Sequence, residues 1–332
     1  MTLGTASALP TANRYPSAHI LTVRERLFLI DCGEGAQMQL RKAGISIARI
    51  DHIFISHLHG DHIFGLFGLL STLAMMGRTA PLYIYAPYKM EVVLEFFREH
   101  FGEGIKYEIV HKPIRCQEPT MVLDMKNIEV YALPLQHRGE TYGYIFKEKM
   151  PQRNVHKHLI EPYKLSLYEI ARLKEGQDVR RVVSLDEESG NGQEQETVNN
   201  SEIYDKVEYE QLLKSDEFTY LPYKPRSFAY CSDTAPFDQL SEWVKGVDLL
   251  YHEGTYGSEL ADMAKSTFHS TSSDAARCAF KAAVGKLVIG HYSSRYKSID
   301  PLVEEARKIF SETYPAKEGA KFDIPLIKSN IN

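Results

Sequence analysis

Four metal-ligating side chains stand within six residues of this chain, in the run HLHGDH at residues 57–62. The run follows an apolar, strand-like segment and precedes an apolar segment with helical character. His57 and His59 project to the same side of an extended backbone, and Gly60 permits a sharp turn. Asp61 and His62 then return on the far side of that turn. Such a cluster is costly to desolvate at a strand end unless a metal ion compensates, so the run predicts a metal site rather than a polar loop of chance composition.

The remainder of the chain alternates short β-branched runs with helical segments. The strand-like runs are RLFLIDCG, HIFISH, LYIYAP, IEVYALPL, YGYIFK, SFAYCSD, VDLLYHEG and KLVIGHY. The helical candidates are FGLFGLLSTLAMM, KMEVVLEFFREHF, FDQLSEWVKG, SSDAARCAFKAA and LVEEARKIFSETY. Many of the strand-like runs end directly in polar residues. This order predicts an α/β fold in which helices cover sheets and a site lies along one sheet edge.

Three further metal-ligating residues also stand at strand ends. His137 follows IEVYALPLQ, Asp233 follows SFAYCS, and His291 follows KLVIG. Any one of them alone would be an ordinary surface or core residue. Together with residues 57–62 they make five His and two Asp, which is the donor set for two zinc ions bridged by one carboxylate.

An internal segment differs from the rest of the chain in charge and composition. From Lys147 to Arg181 there are nine Lys/Arg against five Asp/Glu, whereas from Val182 to Glu217 there are two against eleven. The stretch SLDEESGNGQEQETVNNSE has the composition of a mobile loop, and LSLYEIARLKEG before it has helical spacing, with Gly176 as a C-terminal cap. We interpret residues 151–225 as an arm inserted into a compact domain, basic at its base and acidic at its tip. The alternative is a solvated surface excursion without function.

Composition limits where such a protein would act. The four cysteines are widely spaced and form no CxxC pair, which favours a metal site without thiolates and a reducing cytoplasm. The first sixteen residues lack a signal-peptide pattern, and no apolar run approaches the ~20 residues that span a bilayer. We therefore expect a cytoplasmic protein without membrane attachment.

Several longer stretches carry a family resemblance that covers nearly the whole chain outside the arm. They are LGTASALPT, DCGEGAQMQL, ISHLHGDHIFGLFGLL, YCSDT, YHEGTY, FHST and GHYSSRY. They resemble the metallo-β-lactamase superfamily and, within it, the ribonuclease Z family. The resemblance implies a four-layer αββα sandwich formed by residues 1–150 and 226–332, with the arm inserted as a flexible segment.

The resemblance also implies roles for individual residues in metal binding. His57, His59 and His137 would hold one zinc ion, and Asp61, His62 and His291 the other. Asp233 would bridge the two ions. Asp31, in LIDCGEG, matches a family position that organises the zinc-bearing loops without binding metal.

As a member of this family, the chain is expected to be a zinc-dependent endoribonuclease. It would remove the 3′ trailer from precursor tRNA, leaving a 3′-hydroxyl on the tRNA and a 5′-phosphate on the trailer. Asp61 would accept the proton of the attacking water, His269 would protonate the leaving oxygen, and Glu253 would support His269. A purely structural Glu253–His269 pair is the alternative. The family also implies a homodimer in which the arm of one subunit serves the other.

The arm is the expected binding surface for the body of the tRNA. A net charge of −5 does not favour an RNA substrate, but a local basic patch is sufficient. The candidate RNA-binding residues are Arg153, Lys157, Arg172, Lys174, Arg180 and Arg181. The arm lacks the Gly-Pro-rich tip found in many bacterial members of the family, so its contacts with tRNA would differ from theirs.

Three rival functions remain at this point. A small-molecule hydrolase of the same fold would share the metal ligands but would need neither the arm nor the HEGT and HST segments. A di-iron oxidoreductase of the fold would carry HxExD in the first motif, where this chain has His59. A non-catalytic metal-binding protein would be expected to have lost ligands, and this sequence retains them.

Overall fold

The computed structural model describes residues 1–184 and 208–328. Within them the chain divides into two compact units. The first comprises Met1–Lys149 and Arg226–Pro325, and the second comprises Met150–Pro225 and the chain from Leu326 onward. The C-terminal segment from Leu326 thus groups with the arm and not with the first unit.

The first unit begins with a six-stranded sheet in the order β1 to β6. Strands β1 to β3 pair antiparallel, and β3 to β6 pair in parallel. Its strands are β1 (Thr2–Gly4), β2 (Ala18–Val23), β3 (Arg26–Cys32), β4 (Ile50–Phe54), β5 (Leu82–Pro87) and β6 (Ile109–Ile114).

Three helices cover one face of this sheet: α1 (Ala36–Lys42), α2 (Gly60–Met75) and α3 (Met90–Phe101). In α2 the residues Ile63, Leu66, Leu70 and Leu73 recur at helical spacing and are buried. They pack with apolar side chains of the sheet and of α1 and α3 in one core cluster. This packing holds the start of α2 directly after β4, which is where residues 57–62 lie.

The first unit also contains a seven-stranded sheet in the order β17-β16-β15-β14-β9-β8-β7. Strands β14 to β17 pair in parallel, and the others pair antiparallel. Its strands are β7 (Thr120–Asp124), β8 (Ile128–Pro134), β9 (Tyr142–Glu148), β14 (Ser227–Cys231), β15 (Leu249–Glu253), β16 (Lys286–Gly290) and β17 (Thr313–Pro315). The helices of this half are α7 (Asp238–Trp243), α8 (Ala261–Thr267), α9 (Ser272–Lys281) and α10 (Asp300–Arg307).

The main core lies between the two sheets. Phe28, Phe54 and Tyr85 of the first sheet are buried against Tyr144 and Phe146 of the second. The same cluster continues through the second sheet to the alanines of α9, including Ala275 and Ala279. Helix, sheet, sheet and helix therefore form the four-layer αββα architecture that the sequence resemblance implies.

The arm forms a small unit with its own core of Val155, Leu165, Leu173, Leu213 and Phe218. Ser166 and Glu169 form a capping box at the start of its central helix. Its elements are β10 (Asn154–Val155), α4 (Lys157–Ile160), α5 (Leu167–Lys174), β11 (Val179–Ser184), β12 (Glu208–Leu213), α6 (Ser215–Phe218) and β13 (Thr219–Tyr220). The structure does not describe positions 185–207, and from position 185 onward the predicted acidic mobile segment falls in this gap.

The eight predicted strands and the predicted helices are present, with one correction at the C-terminal end. The segment LVEEARKIFSETY was predicted to be helical up to Tyr314, but α10 ends at Arg307. Thr313–Pro315 instead forms an edge strand that pairs in parallel with β16. Sheet pairing has therefore overridden the local helical pattern. In the described part of the chain, no helix is both long and apolar enough to cross a bilayer.

Candidate metal and active site

The predicted site residues meet where strands of both sheets end. The loop after β4 carries residues 57–62 and leads into α2. From the second sheet, His137 follows β8, Asp233 follows β14 and His291 follows β16. The parallel strands of each sheet bring their carboxyl ends to one edge, so seven residues from distant parts of the sequence lie in one cluster.

Three site residues adopt a left-handed backbone conformation at these strand ends. The φ angles are 54° for Asp31, 52° for Asp233 and 58° for His291. Residues other than glycine adopt this backbone conformation at a cost of about 1–3 kcal/mol, and such strain concentrates at functional sites. Each of these residues is almost fully buried, so the packing around the strand ends holds them in place.

The first group of possible ligands is His57, His59, His137 and Asp233, whose ligand atoms lie within 4.8 Å of one another. Nδ1 of His59 is 2.9 Å from Nε2 of His57 and 3.4 Å from Nε2 of His137. Oδ2 of Asp233 is 3.7 Å from Nε2 of His57 and 3.8 Å from Nε2 of His137. Three imidazoles and one carboxylate thus converge on one point.

The second group is Asp61, His62 and His291. Oδ2 of Asp61 lies 3.5 Å from Nε2 of His62 and 3.6 Å from Nε2 of His291. Oδ1 of Asp233 is 3.2 Å from both of these imidazole nitrogens. The two oxygens of Asp233 therefore face different groups, as a carboxylate bridging two ions would.

The outward-facing nitrogens of four histidines have protein partners. Nδ1 of His57 lies 3.0 Å from the Ser56 hydroxyl, and Nδ1 of His291 lies 3.0 Å from the Thr255 hydroxyl. Nδ1 of His137 donates to the Phe268 carbonyl at 2.9 Å, and Nδ1 of His62 contacts Oδ2 of Asp31 at 2.7 Å. Metal-bound histidines typically have such partners, which fix the tautomer and leave the other nitrogen free to bind. The donor set therefore fits a metal cofactor.

Asp31 links both sheets beneath this cluster. Its carboxylate accepts hydrogen bonds from the backbone and hydroxyl of Ser56 at 2.7 and 2.9 Å and from the hydroxyl of Tyr230 at 2.7 Å. It also contacts His62, and the structure places it in no ligand group among the described residues. Asp31 thus contacts the loop that carries residues 57–62, where the resemblance implies an organising role for it.

The carboxylates make the centre of the cluster strongly attractive to positive charge. Burial opposes protonation of His62, but Asp233, Asp31 and Asp61 outweigh it and raise the pKa of His62 well above its usual range. Burial would likewise favour neutral Asp61, yet His62 and His291 lower the pKa of Asp61 far below its usual range. The same potential would stabilise divalent cations at this position.

The buried Glu253 and the partly buried His269 form a pair beside the ligands. Nδ1 of His269 lies 2.9 Å from Oε1 of Glu253. Burial disfavours the charged imidazole, but the Glu253 carboxylate raises the pKa of His269 to about 9. Thr255 donates to the other carboxylate oxygen at 2.5 Å while its own oxygen faces Nδ1 of His291. The pair is thus connected to a possible metal ligand.

His269 is close enough to the cluster for a second interpretation. With Asp233 and His291 it forms a third group whose ligand atoms lie within 4.8 Å of one another. Its Nδ1 is already engaged by Glu253, so only Nε2 is available either to bind a metal or to donate a proton. Nδ1 of His137 donates a hydrogen bond to the Phe268 carbonyl, and this bond positions the loop that carries His269.

The candidate RNA-binding residues of the arm differ in how free their side chains are. Arg153 binds Thr219 and Asp216, and Arg181 binds Gln211 and Glu169. Lys174 is half-buried. The exposed cations of this set are Lys157, Arg172 and Arg180.

Sequence reasoning missed several contributors to the site. Ser56 and Thr255 adjoin predicted residues, but nothing in their spacing indicates which histidine each would contact. Tyr230 lies inside a strand as an ordinary apolar-run residue. The backbone N–H of Ala8 donates to Oδ2 of Asp61 at 2.8 Å, and a backbone donor leaves no signal in residue types.

Comparison with known proteins identifies relatives that match along nearly the whole chain. The chain is 38% identical over 326 residues to ribonuclease Z of Phocaeicola vulgatus, covering 98% of this chain and 97% of that one. It is 40% identical over 320 residues to ribonuclease Z of Cytophaga hutchinsonii, covering 96% and 94%. A family model described as anti-Pycsar protein Apyc1 matches residues 1–156.

Solved structures share the fold at lower sequence identity. The human short-form tRNase Z matches with a TM-score of 0.65 and 23% identity, covering 98% of each chain. The metallo-β-lactamase fold protein YhfI of Bacillus subtilis matches with a TM-score of 0.62 and 18% identity, covering 96% of each chain. With curated relatives close to 40% identical along nearly its full length and a convergent His/Asp cluster suited to metal, the chain belongs to the ribonuclease Z family of endoribonucleases.

Proposed function

We propose that this protein removes the 3′ trailer from precursor tRNA in the cytoplasm, using two zinc ions per subunit. The observation that carries the proposal is the position of Asp233, whose two carboxylate oxygens face two separate ligand groups. His57, His59 and His137 would hold one ion, and Asp61, His62 and His291 the other. The ions, when bound, would supply the Lewis acidity that activates water and stabilises negative charge on the phosphoryl group.

The chain's own residues would move the protons of the reaction. Water attacks phosphorus, and Asp61 accepts its proton; the Ala8 N–H bond holds the Asp61 carboxylate in position. The bond between phosphorus and the 3′ oxygen of the tRNA breaks, and Nε2 of His269 donates a proton to that oxygen. The products are a 3′-hydroxyl on the tRNA and a 5′-phosphate on the trailer. Glu253 keeps Nδ1 of His269 protonated and its ring oriented.

The arm would bind the tRNA away from the cleaved phosphate. Lys157, Arg172 and Arg180 are exposed cations, and phosphate contacts of this kind recognise folded RNA by shape and charge. The other members of the basic set would contribute less. Arg153 and Arg181 are bound within the arm, and Lys174 is half-buried. We further propose a homodimer, as the family resemblance implies.

The deciding experiment compares two substrates in zinc-loaded protein. A 3′-extended tRNA transcript is incubated with the protein and the product ends are mapped; bis(p-nitrophenyl) phosphate serves as the generic phosphodiester. We expect one cut at the 3′ side of the tRNA body with a 3′-hydroxyl on the tRNA. Hydrolysis of the small ester with no cleavage of the transcript would instead favour the small-molecule hydrolase considered from the sequence.

A further inference from the structure

A cavity of about 160 Å³ opens between the two sheets of the first unit. Residues of β2 and β3 line one side, and residues of the second sheet line the other. Most of its lining side chains are apolar, and several of these are buried: Ile20, Ile30, Ile128, Phe146, Leu249 and Val288. Apolar cavities of roughly this size can bind benzene-sized molecules.

One buried polar side chain in this wall lacks a partner. His19 is 4% exposed, and its Nε2 has no hydrogen-bond partner among the described residues. Its ring lies 5.0 Å from the ring of Tyr230 and 4.4 Å from that of Tyr251, measured between centroids. Burial lowers the pKa of His19 well below its usual range, so the imidazole is neutral. Leaving such a group unsatisfied is costly, and natural proteins rarely do so.

Tyr251 provides a second unsatisfied group in the same wall. Its hydroxyl is buried and likewise has no partner among the described residues. Arg226 and Glu148, at the edge of the cavity, do not compensate, because they bind each other. Nη2 of Arg226 lies 2.7 Å from Oε1 of Glu148.

Water alone explains these features poorly. A bound water needs two to four polar partners, whereas the buried wall around His19 and Tyr251 is mostly aliphatic and aromatic, and its other polar side chains, Thr2 and Glu148, already have hydrogen-bond partners. A molecule with one oxygen and an apolar body would satisfy a polar group and fill the remaining volume. Because Arg226 and Glu148 already neutralise each other, an uncharged molecule fits this wall better than a charged one.

We propose that this cavity is a binding site for a small, neutral, largely apolar molecule that carries one hydrogen-bonding oxygen, with His19 as its polar contact. The site is separate from the metal cluster and does not depend on the proposed tRNA substrate. Phenol and toluene have the same ring and similar size and differ in the hydroxyl, so they are matched probes.

The test is calorimetric titration of the full, metal-loaded chain with phenol and with toluene. We expect saturable binding of both, with phenol about five-fold tighter, the factor given by one net hydrogen bond. His19→Leu should abolish the preference for phenol while toluene still binds. Tyr251→Phe removes the other unpartnered group and should leave that preference in place, because His19 is the proposed contact.

Variants that fill the cavity locate the binding site. Val288→Phe and Ile20→Phe enter it from opposite sheets, so one remains useful if the other fails to fold. Either folded variant should lose binding of both probes. Absence of saturable binding in the unmodified protein, equal affinities for phenol and toluene, or undiminished binding in a filled variant would each overturn the proposal.

Discussion

Nδ1 of His269 lies 2.9 Å from the fully buried carboxylate of Glu253, and the other oxygen of that carboxylate accepts a hydrogen bond from Thr255. Since Glu253 engages Nδ1, the Nε2 atom of His269 is the one that can act on substrate. If His269 is the proton donor, as proposed, no metal ligand is needed for that step. Substitutions at position 269 and at the metal ligands should therefore affect different properties of the protein.

Replacing His269 with alanine should slow the chemical step and leave the metal bound. Proton donation to a leaving group typically contributes 10²–10⁴-fold, so we expect a loss of about that size in the single-turnover rate at saturating precursor tRNA. Metal content, measured by elemental analysis, should equal that of the unmodified protein. Loss of metal would instead identify His269 as a ligand in the group with Asp233 and His291.

Replacing a ligand should have the opposite signature. Asp61→Ala and His59→Ala should each lower cleavage by several orders of magnitude with the fold retained, because each removes a proposed metal ligand and Asp61 is also the proposed proton acceptor. Circular dichroism and elemental analysis would separate metal loss from unfolding. His100→Ala, an exposed histidine on α3, is the matched control and should cleave normally. Near-normal turnover in either ligand variant would contradict the metal assignment.

Thr255 should control metal affinity through its hydroxyl. It donates to Glu253, so the lone pair of its oxygen is left to accept the N–H of His291 at Nδ1. That bond keeps Nε2 of His291 unprotonated and free for metal. Thr255→Val keeps the shape but removes the hydroxyl, and loss of such a partner typically costs 10–100-fold in metal affinity. Competition with a zinc chelator would measure the effect.

Two variants make the Thr255 experiment decisive. Thr255→Ser retains the hydroxyl and should restore most of the affinity. Thr120→Val makes the same substitution at an exposed position on β7 and should change nothing. Equal zinc affinity of Thr255→Val and the unmodified protein would show that the hydroxyl has no role in ligand orientation.

The sequence was most informative where local pattern and side-chain chemistry coincide. Residues 57–62 and the polar strand ends predicted which segments would meet, because parallel strands end at a common edge. The left-handed conformations of Asp31, Asp233 and His291 could not be predicted, since packing of the whole sandwich imposes them. The same holds for Tyr230, whose contact with Asp31 joins two sheets that are remote in sequence.

The basic arm should determine binding of RNA and not the chemical step. A triple variant in which Lys157, Arg172 and Arg180 are each replaced by Gln should bind precursor tRNA more weakly. The salt dependence of binding should flatten by about one unit of log–log slope for each phosphate that the variant no longer neutralises. Hydrolysis of bis(p-nitrophenyl) phosphate should be unchanged. Arg153→Gln and Arg181→Gln provide the comparison, because both side chains are bound within the arm and should affect its stability more than the salt slope. Unaltered tRNA affinity in the triple variant would mean that the RNA binds to another surface.

Glu148, at the end of β9, should make the stability of the first unit dependent on pH. Its carboxylate accepts hydrogen bonds from the backbone and the guanidinium of Arg226 at 2.7–3.0 Å and from Arg24 at 3.3 Å. Burial favours the neutral acid, but the bonds from Arg226 outweigh it and lower the pKa of Glu148 below its usual value. A lowered pKa in the folded state means that the charged form stabilises the fold above the unfolded-state pKa of about 4.3. That contribution disappears as pH falls through the folded-state pKa.

Glu148→Gln should therefore reduce the free energy of unfolding in urea by about 1–3 kcal/mol at pH 7. The difference from the unmodified protein should shrink as the pH is lowered below about 4. Glu242→Gln, which changes an exposed carboxylate on α7, is the control and should alter stability little at either pH. A deficit for Glu148→Gln that stays constant from pH 7 to pH 3 would show that packing, and not the ionised carboxylate, accounts for its contribution.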